Sequence, residues 1–191
     1  MSELFWRAME EASLSDVARA RLEGDVGAAR AAIALLERCD LLALGALADE
    51  VRRREVGDRV TVHSRRPRDG APPAATDLDK LRAFAIARLT EERGATVTVD
   101  WADTGMELAQ VALGFGANAL AGAMQRKAGL PVIDGETQRV KGEGQVEVAE
   151  LKRRELSAVL AAAGREVTFV EEPAPLRTHA KKGQAHARLD P

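Results

Sequence analysis

Apolar residues recur at helical spacing through the first 56 positions. Val17 and Leu22 lie on a short segment that Ser13 or Ser15 is placed to cap, and Gly24-Asp25 punctuates it. Ile33, Leu36 and the neighbouring alanines mark a second helix. Asp40 is a plausible N-cap for a third, with Leu41, Leu44, Ala48 and Val51 on one face. Arg52, Arg53 and Arg54 fall in its last turn, where positive charge suits the helix dipole, and Gly57 is the stop signal. The period then changes. Arg59-Val60-Thr61-Val62-His63 predicts a short strand. The stretch that follows holds three of the seven prolines and no periodicity, which predicts a flexible linker over 64–76.

Helix and strand patterns alternate after the linker. Asp77 heads a helix bearing Leu81, Phe84, Ala85 and Leu89, and Gly94 ends it. Ala95-Thr96-Val97-Thr98-Val99 predicts a strand from its β-branched content. Asp103 or Thr104 caps a helix carrying Leu108, Val111, Ala112 and Phe115, closed by Gly114 and Gly116. Ala117 to Ala121 predicts a short buried strand. Asp134-Gly135, between Val132-Ile133 and Val140, suits a β-hairpin turn. A last helix over about 147–163 carries Leu151, Leu156, Val159 and Leu160, and Gly164 stops it. Glu166 to Val170 predicts a final strand. From Pro173 the apolar pattern ceases, which predicts a disordered tail.

Alternating strands and helices imply α/β architecture built from parallel βα units. About four strands are too few to close a barrel of eight. The expected organisation is a helical N-terminal region over 1–57, a truncated, partial TIM-barrel-like βα layer of about four parallel strands over 58–172, and a tail over 173–191.

Composition narrows the function classes. A chain of 191 residues suits one domain with appendages. Lys+Arg total 28 and Asp+Glu total 30, a formal net charge of -2, so no basic surface is expected for nucleic acid. One cysteine among 191 residues rules out an internal disulfide and an iron–sulfur cluster held by three thiolates of this chain. Met1 to Arg7 shows no basic n-region followed by an apolar run, and no apolar stretch reaches a membrane span of about 18 residues. The expectation is a cytoplasmic protein without a membrane partner.

Two blocks carry a family resemblance. The first runs from Asp40 to Arg54 as Asp-Leu-Leu-Ala-Leu-Gly-Ala-Leu-Ala-Asp-Glu-Val-Arg-Arg-Arg, followed by Gly57-Asp58-Arg59-Val60-Thr61. The second runs from about Leu81 to Gly122, with Trp101 and then Gly105-Met106-Glu107-Leu108-Ala109-Gln110-Val111-Ala112-Leu113-Gly114-Phe115-Gly116-Ala117-Asn118-Ala119-Leu120-Ala121-Gly122. Together they resemble the radical S-adenosylmethionine family of aminofutalosine synthase, cyclic dehypoxanthine futalosine synthase and FO synthase. Residues 147–170 fit its closing βα unit more loosely, and the resemblance covers roughly half to two thirds of the chain.

The departures set the functional expectation. In that family the first strand leads into a Cys-x3-Cys-x2-Cys motif that binds the catalytic [4Fe–4S] cluster. Here the strand runs into the proline-rich segment, and the lone thiol, Cys39, precedes the strand. Ala119 stands where the family carries an acid, Ala123 where it carries threonine, and Gln125-Arg126 near its glutamate. The resemblance therefore implies a shortened relative without cluster or radical chemistry, for which binding of S-adenosylmethionine is not expected.

Asp100, Trp101 and Asp103 follow the best-marked strand. Ligands of βα folds sit beyond the carboxyl ends of strands, so an indole flanked by carboxylates suits a nucleoside or quinone-like ring. A helix cap and a packing tryptophan explain the same residues. Asn118 follows Gly114-Phe115-Gly116; these glycines lie after a helix and before a strand, the reverse of a phosphate-binding turn, but the resemblance leaves room for Asn118 to face a ligand. His63 ends its strand, either as an acid–base or ligating group or as a surface histidine. His179 and His186 share the tail with Lys181 and Lys182, and a solvated tail accounts for them. The Arg52–Arg54 and Arg65–Arg68 runs read as solvated charge. No metal site is expected.

Three functions remain open at this level. The first is a non-catalytic binding or interaction protein derived from a futalosine-pathway enzyme, with a nucleoside, a quinone precursor or a full-length relative as partner. The second is an enzyme of different chemistry using the strand-end pocket. The third is a structural assembly protein. Unpaired strand edges in a partial barrel also suggest a homodimer.

Overall fold

The computed structural model describes residues 1–64, 75–122 and 137–171. Helices α1 (Glu3–Glu11), α2 (Ser15–Glu23), α3 (Val26–Ala31), α4 (Ile33–Leu36) and α5 (Leu41–Val56) make up the N-terminal region. Side-chain caps start three of them. Ser2 accepts from the Phe5 N–H, Asp25 from Ala28 and Asp40 from Ala43. Neither Ser13 nor Ser15 caps α2. Its N-cap is Leu14, and Ser13 instead takes a left-handed φ of 59° to turn the chain out of α1. The expected second helix breaks at Ala32 into α3 and α4.

Strand β1 (Arg59–Ser64) follows α5. Next come α6 (Asp77–Thr90), β2 (Thr98–Asp100), α7 (Trp101–Thr104), α8 (Met106–Ala112), a 3-10 turn over Leu113–Phe115, and β3 (Ala119–Gly122). Thr76 rather than Asp77 caps α6, in a capping box with Asp79. Strand β2 is shorter than the expected 95–99. The Val97 N–H bonds the Asn118 side chain at 2.8 Å, so a side chain takes the place of a ladder partner there. The helix expected from Asp103 splits at Gly105, whose φ of 75° starts α8 on a new axis.

The chain closes with β4 (Thr137–Val140), β5 (Gly144–Glu147), α9 (Val148–Ala162) and β6 (Glu166–Glu171). β4 and β5 form an antiparallel hairpin that turns at Lys141-Gly142-Glu143, not the one expected around Asp134-Gly135. Asp134-Gly135, most of the 64–76 linker and the tail from Pro173 lie outside the described residues.

The main sheet is parallel, in the order β2-β3-β1-β6. The architecture is therefore α/β with a four-stranded parallel sheet and a large helical share. Strands β2 and β3 are neighbours in space and in sequence. β1 then lies between β3 and β6, whereas an arc of a barrel places each strand beside its successor.

The pleat sorts side chains onto two faces. Val60, Val62, Val99, Leu120, Val167 and Phe169 share one. They join Leu81 of α6, Ala109 and Ala112 of α8, and Leu156 and Leu160 of α9 in one core. The other face carries Thr98, Asp100, Ala119, Ala121, Thr61, His63, Thr168 and Val170, and none of these joins either apolar cluster. A second core packs α1 to α6 through Met9, Leu14, Leu36, Leu44, Leu47 and Leu89. Burying each such side chain contributes about 1.5–3 kcal/mol. Phe115 belongs to both cores and lies against Gly45, where a β-carbon would come within 2.6 Å of its ring.

Candidate functional site

The parallel register lines up one residue from each strand on the polar face: Asp100, Ala121, His63 and Val170. All four stand at the carboxyl ends of their strands. Asp100 and His63 are separated by two strand spacings, about 10 Å of backbone, with only the Ala121 methyl between them. The row thus sets a carboxylate and an imidazole on either side of a small residue that is itself fully buried.

Neighbouring elements fix the geometry of this edge. Trp101 begins α7 directly after Asp100 and lies across Gly122, where a β-carbon would collide with the indole. The ring is half-buried and also packs on the sheet's apolar core. The Thr104 hydroxyl donates to the Asp100 carbonyl at 3.1 Å. Lys80, in the first turns of α6, donates to the Asp103 carbonyl at 3.2 Å and to Asp77 at 3.3 Å, tying α6 to α7. Four of the five residues singled out by sequence, His63, Asp100, Trp101 and Asp103, therefore lie on this edge or on the turn leading from it.

Asn118 does not. It immediately precedes β3, at the amino end of the sheet, and is buried. Its Oδ1 accepts from the Val97 N–H at 2.8 Å and from Arg88 at 2.7 Å. It is a strut between α6, β2 and β3.

Sequence reasoning missed the charged cluster to which that strut belongs. Arg21 and Arg88 are fully buried and both address Glu55. Arg21 bonds Glu55 at 2.7 Å and the Leu89 carbonyl at 2.8 Å. Arg88 donates to the Gly116 carbonyl at 2.8 Å, and its Nη1 lies 3.6 Å from Glu55, an ion pair too long for a hydrogen bond. Burial pushes the Arg88 guanidinium below its usual range, and Glu55 partly opposes this. Beside it, Arg52 bonds Asp49, Asp58 and the Gly57 carbonyl, while Arg165 reaches Asp49, Asp58 and the Leu113 carbonyl. The available signal was an arginine inside an apolar helical stripe, as at Ala85-Arg88-Leu89 and Val17-Ala18-Arg21.

Cys39 is buried, and burial pushes its thiol up, with Arg82 as the main opposing influence. A shallow cleft of about 460 Å³ lies between α1 and α2, lined by Trp6, Glu10, Ser13, Ser15, Asp16 and Arg19. The Arg19 guanidinium sits over the Trp6 ring at 5.8 Å. This cleft shares no residue with the sheet edge. Among the described residues no group of three or more His, Cys, Asp and Glu is placed to hold a metal ion, and no helix is long and apolar enough to cross a membrane. Comparison with protein-family models, with curated proteins and with solved structures finds no match for this chain.

Proposed function

We propose that this chain is a non-catalytic binding protein that takes a flat, hydrogen-bonding ring system, of which a nucleoside is the type, on the polar face of its sheet. The observation that carries the reading is the Asp100–Ala121–His63 row. A carboxylate accepts hydrogen bonds and an imidazole donates or accepts, so the pair suits the two edges of a polar ring held at the strand ends. The indole of Trp101 stands at the same strand ends on the opposite face, where it packs over Gly122 against the apolar core.

One argument favours binding over the radical chemistry of the family the chain resembles: its single cysteine cannot replace the three thiolates that hold the cluster there. In this reading the protein descends from that family's barrel, has lost the cluster-bearing half, and keeps part of the strand-end surface.

The test is a thermal-shift titration with adenosine, inosine and S-adenosylmethionine, on wild type and on His63→Ala. A nucleoside at about 100 times its Kd stabilises by about 2.7 kcal/mol. The expected result is a shift with a free nucleoside, lost in His63→Ala with the circular dichroism unchanged, and ligand recovered intact after incubation. A chemically altered nucleoside would point to an enzyme instead. Absence of any shift would remove the binding reading.

A further inference from the structure

We infer that the outer edge of β6 pairs with β6 of a second copy of this chain, antiparallel and about a two-fold axis at Thr168. Among the described residues β6 is bonded on one side only, to β1. The polarity of its backbone follows from one bond. The Glu166 N–H donates to the Asp58 carbonyl at 3.0 Å, so Glu166 faces β1. Alternation then turns Thr168 and Val170 toward β1 as well, and turns the N–H and C=O groups of Val167, Phe169 and Glu171 outward. A run of outward donors and acceptors is a template for another strand. The opposite edge of the sheet, β2, is only three residues long and offers far less.

The register is restricted by the same alternation. In an antiparallel pair, outward residues must face outward residues. Self-pairing therefore requires a two-fold axis at a residue rather than between two. Centring on Thr168 sets Val167 against Phe169 twice, as hydrogen-bonded pairs, and aligns all of the strand from Glu166 to Val170. It sets Glu166 opposite Val170 and position 165, an arginine, opposite position 171, a glutamate, so the two acidic ends never meet. Centring on Phe169 aligns as many residues of β6, from Val167 to Glu171, but sets Glu166 opposite position 172, a second glutamate, so the acidic ends meet. The result is a continuous eight-stranded sheet, with the ligand-binding rows of both copies on faces related by the two-fold axis.

Thr168 supplies a register-specific test. It is exposed and would meet its own symmetry mate as a non-hydrogen-bonded pair, about 4.5 Å between α-carbons. That spacing is within disulfide reach. In a Cys39→Ala background, Thr168→Cys should give a covalent dimer under mild copper–phenanthroline oxidation, well ahead of Val170→Cys. Light scattering should show wild type as a dimer at tens of micromolar concentration, and Thr168→Lys should raise the dimer Kd about fivefold by opposing two ammonium groups. A monomeric wild type overturns the inference. So does faster cross-linking through Val170→Cys, or a dimer unaffected by Thr168→Lys that folds normally. The inference stands apart from ligand binding, because light scattering requires no nucleoside.

Discussion

Glu55 is one carboxylate shared by two buried guanidiniums. Its Oε1 receives Arg21 at 2.7 Å, and its Oε2 receives the Gly94 N–H at 3.1 Å and lies 3.6 Å from Arg88. Replacing one member of such a cluster strands the others, and a buried unpaired charge costs more than the original bonds contributed. Glu55→Ala should therefore lower stability by about 3–5 kcal/mol, read from urea unfolding monitored by circular dichroism. A loss within about 0.5 kcal/mol would show that the two arginines reach water without it. The contrast with the exposed pairs is instructive. Arg7 with Glu11 and Arg30 with Glu92 are just as short, at 3.0 and 2.8 Å, but they are solvated and contribute little.

At the scale of elements, one tight joint is where α5 meets the turn after α8. Gly45 leaves the space into which Phe115 inserts, and a β-carbon there would come within 2.6 Å of the ring. Gly45→Ala helps the helix intrinsically but overpacks this joint. The net effect should be a loss of about 1–3 kcal/mol, measured as a lower urea midpoint with an unchanged slope. The elements themselves were legible where period and punctuation agreed. Asp40 through Gly57 delimit α5 within the sequence pattern, and Gly164 separates α9 from β6. Local chemistry misled where two adjacent groups compete for one role, as with Thr76 and Asp77, or where a side chain replaces a ladder bond, as with Asn118 at Val97. The strand-end position of Asp100, Trp101 and His63 was readable because a β-branched run stops there. Their alignment across Ala121 was not, since register is set by strands about 20 to 60 residues apart rather than by either one alone. The amino-end placement of Asn118 likewise follows from where β3 begins, which an Ala-rich run does not announce.

Among the described residues the molecule has two apolar cores, with buried charged contacts fastening them together. Trp6 packs on the helical core and Trp101 on the sheet core, while Phe115 touches both. Arg88 leaves α6 to bond the Gly116 carbonyl and Asn118 beside β3, and Arg165 crosses from the start of β6 to Asp49 on α5. Regions 1–57 and 58–171 should therefore unfold together. Trp6→Phe and Trp101→Phe variants leave one indole each, and their fluorescence transitions in urea should coincide at a matched midpoint; separated transitions would make them independent units. The shared carboxylate has a further consequence, for rates. It lies on α5 and its guanidinium partners on α2 and α6, spread from Arg21 to Arg88. No pair of helices alone can neutralise both guanidiniums, so a partly assembled chain leaves at least one charge losing water before its counter-charge is in place. Such an arrangement closes late. Its contribution is then expected on the unfolding barrier, so Glu55→Ala should speed unfolding more than it slows refolding, read from the two arms of a urea chevron.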